Sequence, residues 1–165
     1  MSDLRARAAA MREAFDRGFA GAPAAAPGAH EDLLAIRVAG QARALALAEV
    51  RAVHVDRRIT AVPGPEPALR GLAAFRGAIL PVWDLHVLLG ASPAERPRWL
   101  VVAAGAPVAL AFARFEGHLR VAREAIIGGA VRVLEADGVP RTMISLPVLL
   151  DQIDRRTTDR VHRER

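Results

Sequence analysis

Five histidines stand at positions 30, 54, 86, 118 and 162, and three serines at 2, 92 and 145. With no cysteine or lysine in the chain, these side chains and the carboxylates would have to carry any acid–base, nucleophilic or metal chemistry. Their spacing does not support it. A metal site normally takes at least two ligands from one local element, and no two histidines are close in sequence. No serine lies in a G-x-S-x-G elbow. Without lysine there is neither a Schiff base nor a Walker loop. The "GLAAFRG" stretch has glycines six apart but no G-x-G-x-x-G fingerprint. The acid pair Glu31-Asp32 opens a strand, where solvated charge is expected. Trp83 and Trp99 lack interleaved basic residues, so they read as packing residues, not as base-stacking platforms. The expectation is a chain without enzymatic activity, without a metal and without a cofactor.

One segment combines types that suit recognition: "FRGAILPVWDLHVLLG", residues 75–90. Gly77 permits a tight turn after Phe75 that holds Arg76 outward. An arginine fork offers directional donors to a partner's acceptors. Pro81 removes a ladder donor, which predicts an edge or bulged strand. Asp84 reads as the N-cap of a short helix that begins at Leu85 and stops at Gly90. The alternative for Arg76 is an ion pair within the chain, with Asp84 as the candidate partner.

The elements around this segment are mostly strands. Alternation predicts strands over 33–39, 42–48, 50–55, 71–75, 78–83, 99–104 and 108–113, separated by Gly- and Pro-containing turns. "HLRVA", "AVRVLEA" and "VPRTMIS" read as later strands, with Gly117-His118 placed in a turn. "LPVLLDQI" reads as a last short helix capped by Ser145. At the other end, residues 1–19 read as an amphipathic helix with Leu4, Ala8, Met11, Phe15 and Phe19 on one face, followed by a Pro/Ala linker over 20–31. Residues 155–165 read as a disordered Arg-rich tail.

Charge distribution narrows the partner class. The net charge is +5, yet residues 20–154 hold fourteen Arg against thirteen acids and the last eleven residues hold five Arg against two. The excess lies in the tail, whereas a nucleic-acid binder would concentrate it on a folded face. No apolar run approaches the ~20 residues of a membrane span, and the first residues lack the apolar stretch of a signal peptide. A cytoplasmic chain that neither binds nucleic acid nor inserts in a membrane is expected.

An internal echo suggests the architecture. "DLHVLL" (84–89) and "SLPVLL" (145–150) lie 61 residues apart, each after a strand and each opening on a cap. The repetition predicts two similar β-rich halves, each ending in a short helix. Many short strands with frequent turns suggest small barrels.

The segment "TAVPGPEPALRGLAAFRGAILPVWDLHVLLG" resembles the signature of the CheW-like domain of bacterial chemotaxis coupling proteins, found also as the regulatory domain of the CheA kinase. Val62-Pro63, Gly71, Arg76-Gly77, Pro81-Val82 and Asp84-Leu85 stand in the family's order and spacing. The resemblance runs from about Leu33 to Ile153, giving a CheW-like domain over 32–154. It implies a mainly β fold of two small five-stranded SH3-like barrels packed together. It implies a non-enzymatic adaptor that couples the cytoplasmic tip of a methyl-accepting chemoreceptor to a CheA-type histidine kinase regulatory domain. The partner surface it implies is drawn from Arg76, Gly77, Phe75, Pro81, Val53 and His54, with Gly71, Asp84 and Leu85 as structural members of the motif. Some family residues are replaced: Ala74 and Ala52 stand where polar residues are usual, Ala113 where Asp is frequent, and Ser145 in the closing apolar-Asp-Leu. These departures raise a second reading, a CheW-like subunit that caps or competes for kinase sites, or that serves a non-chemotactic signalling array.

Overall fold

Three two-residue loops organise the chain. Ala39-Gly40, Arg76-Gly77 and Asp137-Gly138 each place both residues at positive φ, near +50° for the first and +70° to +86° for the glycine. That is the type I′ geometry, whose twist matches the strands it joins. Glycine reaches it freely; the residue before it does so at some cost.

The computed structural model of the protein describes residues 30–94 and 96–163. The helix predicted over 1–19 and the first ten residues of the linker lie outside the described residues. The linker's last two residues are already strand, because β1 begins at His30.

Ten strands follow in order: β1 His30–Val38, β2 Gln41–Ala46, β3 Val50–Val55, β4 Leu69–Phe75, β5 Ala78–Asp84, β6 Trp99–Ala103, β7 Ala109–Phe112, β8 Arg114–Ala122, β9 Val133–Ala136 and β10 Val139–Ile144. Helix α1 (Leu85–Leu88) follows β5, and α2 (Leu146–Arg163) follows β10. The strands form two five-stranded sheets, ordered β8-β1-β2-β10-β9 and β3-β6-β7-β5-β4. The fold is mainly β, as expected.

The predicted repeat is present, but the halves do not each build a sheet. Strands β1 and β2 join β8, β9 and β10 in one sheet, and β6 and β7 join β3, β4 and β5 in the other. Each sheet therefore takes two strands from one half and three from the other. Parallel pairings make the exchange: β5 meets β7 at Val82↔Ala109 and Trp83↔Leu110, while β10 meets β2 at Met143↔Ala44 and Ile144↔Leu45. Positions 61 residues apart thus occupy equivalent places, Trp83 with Ile144 and Leu85 with Leu146.

Both faces of the central strands are buried, so alternation sorts residues between two interiors. Leu34, Ile36, Leu45, Trp83, Val101, Leu110 and Phe112 share one core with Leu85, Leu88, Leu146, Leu149 and Ile153 of the helices. The intervening residues line a separate interior in each sheet: Ala73, Phe75, Leu80, Leu100, Ala109 and Ala111 in one, Leu33, Ala44, Ala46 and Leu134 in the other. The alanines of β2, β4 and β7 sit here, packed against the larger side chains of the same interiors.

Four expectations are corrected. Strand β5 is not an edge, since it lies between β7 and β4; the alternative, a bulge, is present in the β4–β5 pairing, where the register shifts between Leu69 and Gly71. Pro81 is accommodated because it opposes Leu72, and alternation from the Phe75↔Ala78 pair turns its missing donor away from β4. On that other side the pairing with β7 begins only at Val82↔Ala109, so Pro81 leaves no gap in a ladder. Gly117 and His118 lie within β8, not in a turn. The predicted short helix and disordered tail are one helix to Arg163, held past Ile153 by the Arg156 Nη1–Glu66 Oε1 pair at 3.0 Å and by Thr157 Oγ1, which donates to Ile153 O at 2.9 Å. The N-terminal acceptor of α2 is not Ser145 but Glu49, whose Oε2 accepts from Leu146 N at 2.9 Å.

Candidate functional site

Arg76 sits at the tip of the β4–β5 hairpin with φ +46°, and its side chain is exposed. Among the described residues it makes no hydrogen bond and no ion pair. The predicted alternative, a pair with Asp84, does not form. Asp84 is fully buried and engaged elsewhere: Oδ1 accepts from His86 N at 2.9 Å, and Oδ2 accepts from Arg70 Nη1 at 2.6 Å and Ala94 N at 3.1 Å. Arg70 also donates to Ala94 O at 2.8 Å. One carboxylate thus caps α1, neutralises Arg70 and ties down the loop after the helix. Its effect on Arg76 is indirect, through the rigidity of the hairpin base.

Gly71 supports the same base. Its φ is +144°, and a Cβ there would lie 2.1 Å from Thr60 O. Thr60 bridges Leu72, exchanging backbone hydrogen bonds of 2.8 and 2.9 Å. The Pro-rich segment is thereby pulled onto β4, and only glycine admits so close a backbone.

The other predicted partner residues divide between two places. His54, on edge strand β3, packs against Phe75 of the opposite edge strand β4, with ring centroids 4.9 Å apart and the ring planes tilted by 50°. The two edges of this sheet therefore approach each other, and the sheet is curled. His54, Phe75, Arg76 and Gly77 come together at one end of it. Phe75 itself is buried and acts as the floor. Burial, the largest influence, and then the charges of Arg57 and Arg76 hold the His54 imidazole below its ordinary pKa. Arg57 and Arg58 are exposed beside it, so this end is basic.

Pro81 lies on the other face of β5. With Ile79 and Trp83 it lines a groove of about 490 Å³ whose far wall is Val108 and, from α2, Ile153 and Arg156. Ile79 is 70% exposed, and the buried Trp83 Nε1 has no acceptor among the described residues. Val53 belongs to neither place. It pairs with Val101 and packs on the shared core. Leu85 is buried in that core as well.

Sequence reasoning missed Arg70, Ile79 and Glu49. Arg70 had a signal, since it lies one residue before Gly71 on the strand that must flank Asp84. Ile79 reads as an ordinary strand residue, and nothing near Glu49 points to a helix 97 residues away.

Among the described residues, no three His, Asp or Glu side chains gather where a metal could be held, and no helix is long and apolar enough to cross a membrane. What the arrangement offers is recognition: an unpaired guanidinium on a stiff turn, and an apolar groove with one unsatisfied donor.

Comparison with known proteins agrees with that character. No curated protein matches the chain. Among solved structures, its fold is similar to the scaffolding protein TtCheW from Thermoanaerobacter tengcongensis, with a TM-score of 0.63 and 18% identity over 70% of this chain and 88% of that one. The CheW-like domain matches residues 32–141, which span both sheets. The chain belongs to the CheW-like domain family, which includes scaffolds of chemotaxis-type signalling.

Proposed function

We propose that this protein is a cytoplasmic, non-enzymatic adaptor that couples the tip of a methyl-accepting chemoreceptor to a CheA-type histidine kinase. In this reading each sheet is an SH3-like barrel, and the Arg76 turn contacts the kinase regulatory domain. The carrying observation is the Arg76 side chain itself. It stands exposed on a type I′ turn, free of any partner among the described residues, while the residues beneath it are fully engaged. A preorganised arginine is a frequent anchor of protein interfaces. The groove between β5 and α2 suits an apolar helix face of a receptor tip.

Capture of the kinase regulatory domain by the immobilised full chain tests the first contact. Arg76→Ala should weaken capture roughly tenfold or more, the loss expected of an interface arginine. Equal capture by both forms removes Arg76 from the contact. For the groove, Thr157→Trp at its rim should block a receptor fragment and leave kinase capture unchanged.

A further inference from the structure

Arg43 of β2 is half-buried and has no carboxylate partner among the described residues. Its Nε is fully buried without an acceptor among them, and its Nη2 donates to the neutral amide of Gln41. A partly desolvated cation is normally paired, because the hydration it loses must be offset. Packing alone does not ask for an arginine there. Leu45, two residues on and on the same face of β2, is an ordinary core residue.

Arg43 lines a cavity of about 330 Å³, a size within the range of small-molecule sites. Its apolar lining comes from Leu89 at the end of α1, Met143 of β10, and Val148 and Leu149 of α2. Val148 is 64% exposed, so a ligand has a way in beside α2. The other two charged groups of the lining are already engaged. Glu49 Oε2 accepts from Leu146 N at 2.9 Å, at the positive end of α2. Arg132 Nη2 donates to Glu31 Oε2 at 2.9 Å. The cavity thus presents apolar walls and one guanidinium without a counter-charge.

We infer that this cavity binds a small organic acid, a monocarboxylate with an apolar body, whose carboxylate pairs with Arg43. One negative charge matches the one uncompensated positive charge. The apolar lining favours a hydrocarbon body over an inorganic anion, and the volume suits a free acid, not a helix or strand of another protein. The site lies on the first turn of α2, whereas the groove beside β5 is walled by later turns. A bound acid would touch both helices and fix α1 against α2.

Titration of the full chain with sodium benzoate and sodium hexanoate, followed by NMR of the Met143 methyl resonance, tests this. The resonance is assigned with Met143→Leu. Both acids should shift it saturably. Benzamide and hexanol keep the apolar body and lose the charge, so they should bind at least about tenfold more weakly, the usual weight of a charge-assisted hydrogen bond. Arg43→Met should erase that preference. Its thermal stability should equal or exceed that of wild type, since it removes a half-buried charge with no ionic partner. Val148→Trp, at an exposed position, should block both acids and leave the fold intact. Acid and amide that bind wild type alike, a Met143 resonance that neither acid moves, or a preference that survives Arg43→Met would each overturn the inference. So would a marked loss of stability in Arg43→Met, which would make Arg43 a structural residue, or a peptide that binds through its terminal carboxylate where both free acids fail.

Discussion

The two hairpin–helix units, β4–β5–α1 and β9–β10–α2, share turn type, register and helix entry, yet they anchor their helices differently. In the first, the residue before the helix is Asp84, which supplies the cap and the ion pair with Arg70. In the second, the equivalent residue is Ser145, and the acceptor comes from Glu49, at the end of the turn that precedes β3. The first unit is self-sufficient. The second is completed by the other half of the chain. An acceptor is needed at both places because an uncapped N-terminus leaves donors unsatisfied, but its origin is free to differ wherever the fold brings two segments together.

The largest consequence of this contrast is at Asp84. Asp84→Ala removes one member of a buried ion pair together with a cap, and should destabilise the fold by about 3 kcal/mol or more in denaturant unfolding. Ser145→Ala should lie within about 0.5 kcal/mol of wild type. Comparable losses at the two positions would break the comparison. Next comes Glu49→Ala, with an expected loss of about 1 kcal/mol, the usual cost of a helix cap. If Glu49→Ala is silent, α2 does not depend on the other half.

A pH-dependent contrast follows. Glu116 of β8 accepts from Arg37 Nε at 2.7 Å and Arg141 Nη1 at 2.6 Å, with Arg141 almost wholly buried. Burial alone, the largest single influence, would raise the Glu116 pKa; the two arginine hydrogen bonds and charges together outweigh it and leave it lowered. A carboxylate depressed in the folded state contributes stability that is present above its unfolded pKa and lost as pH falls through its folded one. The stability gap between wild type and Glu116→Gln should therefore be full at neutral pH and shrink through the acid range. A gap independent of pH would show that packing, not charge, holds this end of the sheet. The place on β5 equivalent to Arg141 holds Leu80, so the other hairpin has no such pair to titrate.

The smallest effect is at His54. Its folded pKa is lowered, so the neutral ring is favoured and its contribution fades as pH drops through the ordinary imidazole range. Removing one of the two nearby charges with Arg76→Ala should raise the midpoint measured by NMR, while Asp137→Ala at the other tip should leave it alone. Equal responses to both would place the two tips closer in effect than the fold implies.

Much of the local structure is legible in the chain. Arg76-Gly77 and Asp137-Gly138 differ only in their first residue and make the same steric statement. Both read as turns because few residues other than glycine tolerate the second position. Asp84 reads as a cap since its acceptor and the donor it meets are two residues apart. Pro81 misleads, because a missing donor implies an edge only if a neighbour would have used it, and the start of β7 is not written near β5. Glu49 and the Arg156–Glu66 pair are illegible for the same reason. Their partners lie 97 and 90 residues away.

Turns, hairpins, helix entries and family membership can thus be read from residue order, since they rest on short-range sterics and on local hydrogen-bond chemistry. Which sheet each hairpin joins cannot. Leu34, Leu45, Val101 and Leu110 share one core and are interchangeable as apolar side chains, so their burial carries no address. The exchange of strands between halves, and the gathering of His54, Phe75 and Arg76 at one curled edge, follow from packing between segments far apart in the chain.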